Sequence, residues 1–221
     1  MFGIKKLVFG HDAAEQLPEE IRAVVQAWKS QEASGLESSH FLTRYVIVDI
    51  ATDGPSPDNN RVTGIAATVM QHGVISPEQS IFIDLKASTA DDLAVNHQLA
   101  AFLRFIGKSP LVAYHVVFVN AFLQQLMKKQ LGLAFHARWV DLAWLLPAMF
   151  GEKSHKPMPL DDWLLSFGLD VGQGRRSPSE NNMVLGRLMQ MLVVRAHAKG
   201  VDAVEQLIEE SKASSQLRRT H

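Results

Sequence analysis

One acid sits where acids are costly. Tyr45-Val46-Ile47-Val48-Asp49-Ile50-Ala51 is an apolar, β-branched run with a single carboxylate, and it stops at the turn Gly54-Pro55-Ser56-Pro57. A carboxylate buried in such a strand needs a metal ion, a cation or hydrogen-bond donors. Strand alternation puts Asp49 and Ala51 on one face and Val48 and Ile50 on the other. The other chemically able residues have simpler expected roles. Glu180 completes the capping box Ser177-Pro178-Ser179-Glu180. Asp161 and Asp162 suit the first turn of a helix, Asp53 falls at the turn, and His115 reads as a structural residue. Lys153, Lys156, Arg175, Arg176, Arg218 and Arg219 form either a phosphate-contacting patch or a solvated face. Trp28, Trp139, Trp144 and Trp163 are expected to pack in the core.

Composition narrows the classes. The chain has 221 residues, enough for one sizeable domain, and a formal net charge of -1, so no global basic field holds a polyanion. It has no cysteine, which removes disulfides and thiolate metal sites. The histidines show no H-E-x-x-H or H-x-x-x-H spacing. No apolar run is long enough to span a membrane. Met1 to Phe9 lacks the pattern of a secretory signal. The expectation is a cytoplasmic protein of bacterial style with no membrane partner.

The elements that must position Asp49 follow in order. Ile21, Val24, Val25 and Trp28 give one apolar helical face behind Pro18, and polar Ser30 to His40 reads as a linker. Strands are predicted over Arg44 to Ala51, Arg61 to Gln71 and Ser80 to Lys86, with Pro77 interrupting the return. A helix capped by Thr89 and Asp92 runs to Gly107. Leu111 to Ala113 is a short strand, Ala121 to Leu131 a helix, and Trp139 to Asp141 a second short strand. Helices follow over Leu142 to Phe150, Leu160 to Phe167, and from Ser177 to Gly200. A last helix contains Val204, Leu207 and Ile208. This is an α/β pattern with a mixed five-stranded sheet flanked by helices and an N-terminal helical extension. Residues 1–42 form the extension and linker, 43–210 the main domain, and 211–221 a flexible basic tail.

Four segments, in order and with matching spacing, resemble the DEDDh-class 3'-5' exonucleases, which include the proofreading subunit of DNA polymerase III and have a ribonuclease H-like fold. The family's first strand ends Asp-x-Glu-Thr-Thr-Gly; here it reads Asp49-Ile50-Ala51-Thr52-Asp53-Gly54. Its Leu-Val-Ala, then His or Asn, then Phe-Asp is similar to Leu111-Val112-Ala113, His115 and Phe118-Val119. Trp139-Val140-Asp141-Leu142 is similar to the family's Asp-Thr-Leu segment, in which the acid is not a metal ligand. Leu160 to Trp163, Gly168 and Arg175 to Asn182 resemble Leu-x-x-Leu, Gly and Arg-His-x-Ala-x-x-Asp-Ala. The likeness covers roughly residues 43–195. Stand-alone bacterial exonuclease-like proteins also carry a helical N-terminal extension, which Asp12 to Lys29 would match.

The resemblance implies a dismantled metal site. Family members cleave a terminal phosphodiester with two divalent ions roughly 3.5–4 Å apart. Hard cations of that kind need oxygen ligands. The vestigial positions are Asp49, Ala51, Val119, Arg176 and Asn181, of which Asp49 alone keeps its acid. Ala51 and Val119 have no ligand atom, Asn181 has no charge, and Arg176 stands at the general-base histidine, where a fixed cation cannot act as a base. The expectation is therefore no catalytic residue, no bound metal and no cofactor, with Mg²⁺ or Mn²⁺ relevant only to residual activity. The chain reads as a non-catalytic module for a single-stranded nucleic-acid end or a protein partner, through a cleft of Asp49, Thr52, His115, Phe118 and Arg176. The alternatives are a weakly active exonuclease and a small-nucleotide sensor. A guanidinium can fork onto a carboxylate, so Arg176 is expected either to pair directly with Asp49 or to point into solvent.

Overall fold

The computed structural model describes residues 16–33, 35–86, 92–169, 172 and 174–217. Its elements are α1 (Glu19–Ser30), β1 (Tyr45–Thr52), β2 (Val62–Gln71), β3 (Val74–Asp84), α2 (Asp92–Ile106), β4 (Leu111–Ala113), α3 (Val116–Leu131), β5 (Trp139–Asp141), α4 (Leu142–Met149), α5 (Leu160–Ser166), α6 (Pro178–Ala198) and α7 (Val204–Leu217). The five strands form one mixed sheet in the order β3-β2-β1-β4-β5. β1 to β3 are antiparallel neighbours, whereas β1, β4 and β5 run parallel. No described helix is long and apolar enough to cross a membrane.

The sheet separates two cores, and the alternation along β1 decides which side chain joins which. Val46, Val48 and Ile50 enter the core shared with α1, α2 and α3. Tyr45 and Ile47 enter the core shared with α4, α6 and α7. Asp49 has the parity of Tyr45 and Ile47 and so faces α6. The predicted apolar face of α1 is buried at Ile21, Val24, Val25 and Trp28. Trp28 stacks on Phe135 with ring centroids 5.5 Å apart, and its Nε1 donates to Gly107 O at 2.7 Å. This helix therefore packs on its own domain.

Four differences from the sequence reading have physical causes. β3 begins at Val74, directly after the His72-Gly73 turn, and not at Ser80. Thr68 pairs with Ser80 and Val69 with Ser76, so Pro77, Glu78 and Gln79 bulge out of an edge strand, where a missing proline N–H costs no ladder bond. α3 begins at Val116, not Ala121, because Asp141 accepts the N–H groups of His115 and Val116 from across the sheet at 3.1 and 3.0 Å. The segment read as a linker is pinned at its end. Ser39 bridges Ala203, Glu205 N donates to Leu36 O, and buried His40 lies between the Tyr45 hydroxyl at 2.8 Å and Val201 O at 2.9 Å. α7 continues past position 210 to Leu217, with Ser211 and Ser214 buried along it. Asp12, Thr89, Arg218 and Arg219 lie outside the described residues.

Candidate functional site

The site is a cleft of about 630 Å³ between the C-terminal end of β1 and the start of α6. The predicted capping box forms α6: Glu180 N donates to Ser177 Oγ at 3.3 Å, and Ser177 N donates to Glu180 Oε2 at 2.7 Å. Ser177 N and the Ser177 hydroxyl, both donating to Glu180 Oε2, hold the Glu180 carboxyl below the usual range. The helix is then anchored to the sheet. Asn182 is fully buried, and its Nδ2 donates to Ile47 O at 3.2 Å and to Thr68 Oγ1 at 3.4 Å. Gly186 permits the close approach, since a Cβ there would lie 2.1 Å from the tip of Ile75.

These anchors place Asn181 over β1. Its Nδ2 donates to Asp49 Oδ2 at 2.9 Å, and its Oδ1 accepts from Arg176 Nε at 2.9 Å. Arg176 also forms an ion pair with Asp161 at the start of α5. Its side chain is only 17% exposed. Neither sequence expectation for Arg176 holds: it neither points into solvent nor pairs directly with Asp49. Asn181 stands between the two as a relay.

Burial is the largest influence on Asp49 and pushes its carboxyl above the usual range. The Asn181 amide, the Ile50 N–H and the charges of Arg176 and Arg175 pull it down without cancelling that shift. A raised folded-state value means the group favours folding in acid, and that contribution is lost as pH rises through the folded value. An acid at position 49 is thus a cost at neutral pH. We expect Asp49→Asn to raise the unfolding midpoint at pH 7 by an amount equivalent to about 1 kcal/mol, and to leave it unchanged near pH 3. Thermal melts across pH check this, and a lower midpoint at pH 7 would contradict it.

The cleft gathers Asp49, Ala51, Thr52, Arg176 and Asn181. His115, Phe118 and Val119 are not among its lining residues. His115 caps α3 in the left-handed region (φ 60°) and packs edge-on against Tyr114. Phe118 is exposed and rests on Phe122. Val119 is buried in the core beneath α3. Asp53 Oδ1 is taken by Arg61 N at 2.7 Å, within its own turn. Lys153 donates to Ser166 O at 2.6 Å and neither it nor Lys156 lines the cleft. Trp28 and Trp163 are buried, and Trp139 Nε1 donates to Asn120 at 3.0 Å.

The sequence reading missed Phe82, Asp84 and Lys86, which line the same cleft. The observed register accounts for the first two. Ala51 lies opposite Gly64, which lies opposite Asp84, and Asp49 lies in the row that holds Ala66 and Phe82. Residues directly opposite share a face. The Phe82 ring covers Gly64 and is 54% exposed.

The sequence matches no protein-family model and no curated protein. Solved structures do match. E. coli exonuclease I in complex with a dT13 oligonucleotide is 11% identical with a TM-score of 0.52, over 71% of this chain and 42% of that one. A zinc-bound form of the E. coli exonuclease I complex with single-stranded DNA is 12% identical with a TM-score of 0.53, over 72% and 42%. Exonuclease X in complex with 5'-overhanging duplex DNA is 14% identical with a TM-score of 0.50, over 76% of this chain and 99% of that one. The chain has the fold of the DEDDh-type 3'-5' exonucleases. It spans less than half the length of exonuclease I.

Within this exonuclease fold, the donor set does not fit a pair of divalent ions. Of the carboxylates that line the cleft, Asp49 lies on β1 beside neutral Asn181 and the cation Arg176, whereas Asp53 and Glu180 are held by Arg61 N and Ser177 N. Asp84 lies two strands away, about 10 Å by the spacing of a sheet, and its Oδ1 accepts from Lys86 N at 2.9 Å. Among the described residues, no group of three or more His, Cys, Asp or Glu side chains could hold a metal ion.

Proposed function

We propose that this chain is a non-catalytic nucleic-acid-binding module on an exonuclease fold. It holds a single-stranded end in the Asp49 cleft and does not cleave it. The observation that carries this reading is the make-up of the cleft. Its one floor carboxylate is already bonded to an amide, while an exposed aromatic ring, Phe82, and a guanidinium, Arg175, line the same space. Two divalent ions bring about four positive charges, and no three carboxylates among the described residues converge to offset them. Sequence-tolerant binding of single strands uses an aromatic face for a base and a cation for the backbone. Support also comes from the fold: the exonuclease I structures hold dT13 and single-stranded DNA.

The test is fluorescence anisotropy with a short labelled single strand, with and without EDTA, beside a gel assay in Mg²⁺ and Mn²⁺. The expected result is binding that EDTA leaves unchanged and an intact strand. Phe82→Ala should weaken binding about tenfold, the size of one lost base stack. Arg175→Ala should reduce the slope of log K against log salt by about 1. Chelator-sensitive shortening of the strand would instead establish an active exonuclease.

A further inference from the structure

A second cavity, of about 150 Å³, lies at the opposite end of the sheet. It abuts Leu111 at the start of β4 and Arg138 just before β5, whereas Asp49 lies toward the last residues of β1, which runs parallel to β4. Lys108, His136 and Arg138 line it, with the polar side chains of Gln31 and Ser109. No Asp or Glu is among its lining residues, although the chain carries slightly more acids than lysines and arginines.

The fold places the Lys108 side chain and ties down the backbones of Ser109 and Arg138. Lys108 Nζ sits 3.3 Å from the centroid of the Trp28 ring, which holds the ammonium by a cation–π contact. Lys108 has no ion pair with a described residue. Arg138 O accepts from Leu111 N at 2.8 Å, and Ser109 N donates to Ile106 O at 3.2 Å, so both loops are tied to the sheet or to α2. Ser109 Oγ accepts from Arg44 at 2.8 Å, which leaves the hydroxyl proton for another acceptor.

We infer that this cavity binds a phosphate group, as inorganic phosphate or as the terminal phosphate of a small phosphomonoester. Lys108, Arg138, an imidazole and hydroxyl or amide donors line one cavity whose lining holds no carboxylate, which suits an anion, and the tetrahedral oxygens of phosphate accept from several donors at once. Size sets the ligand class. Pockets for drug-sized ligands are about 300–1,000 Å³, so a cavity of about 150 Å³ suits a phosphate with a small substituent.

Isothermal titration of the full chain with inorganic phosphate and with phenyl phosphate, at fixed ionic strength, tests this. The expected result is saturable binding at one site by at least one of the two, and comparing them tells free phosphate from the ester. Lys108→Gln, which keeps the stem over Trp28, and His136→Ala, which leaves Trp28 untouched, should each weaken binding at least tenfold. Arg175→Ala, in the Asp49 cleft, should leave it unchanged. Absence of saturable binding by both ligands overturns the inference. So does binding that Arg175→Ala removes and the other two variants spare, because the anion would then sit in the cleft.

Discussion

Replacing Asp141 by alanine should destabilise the fold by about 3 kcal/mol, the sum of a lost helix cap and backbone donors left unpaired. Asp141 is buried, and its carboxylate takes three backbone N–H groups: Ala143 at 3.0 Å, His115 at 3.1 Å and Val116 at 3.0 Å. It therefore caps α4 and fixes the entry to α3. Removing both oxygens strands donors at two helix starts. Asp141→Asn keeps one acceptor oxygen. Burial holds the Asp141 carboxyl above the usual range despite its donors, so loss of the charge itself costs little. Asparagine should recover roughly half of the alanine deficit. Denaturant unfolding of the two variants decides the matter, and equal, small losses below about 0.5 kcal/mol would show that the helices do not depend on this cap.

The second large effect concerns installing the ligand set that the resemblance implies, with Ala51→Glu, Val119→Asp, Arg176→His and Asn181→Asp. Val119 is 2% exposed and packs in the core with Phe122 and Leu123. An aspartate there has no cation partner among the core residues it would join, which are apolar. We expect Val119→Asp alone to cost about 3 kcal/mol or more. The other three substitutions face the cleft, so the triple variant should fold while the quadruple variant loses most of its stability. Unfolding curves of the triple and quadruple variants separate the outcomes. Full stability of the quadruple variant would mean that α3 can turn this position toward the cleft. Metal-dependent cleavage that appears only in that variant would then support the proposed loss of metal ligands.

Much of this arrangement was legible in the residues. The face parity of Asp49 follows from strand alternation, and the α6 capping box follows from Ser177, Pro178 and Glu180 in their own order. The buried stripe of α1 follows from helical spacing. What was not legible depends on partners distant in the chain. The Asn181 bridge between Arg176 and Asp49 requires knowing that α6 lies on β1, which the buried Asn182 and the small Gly186 arrange. The early start of α3 depends on an acid more than twenty positions away. Phe82 stayed hidden because the β3 register passes through a bulge, and a strand begun at Ser80 gives no way to count across it.

That bulge also bears on how copies of the chain meet one another. β3 forms one rim of the sheet, and an open rim invites a stranger's backbone to zip onto it. Pro77 offers no amide hydrogen, and Glu78 beside it is exposed and charged. A second molecule approaching here would find a ladder with missing rungs. Concentrated protein should accordingly resist fibril growth through this side, and flattening the rim by deleting Pro77, Glu78 and Gln79 would remove that safeguard.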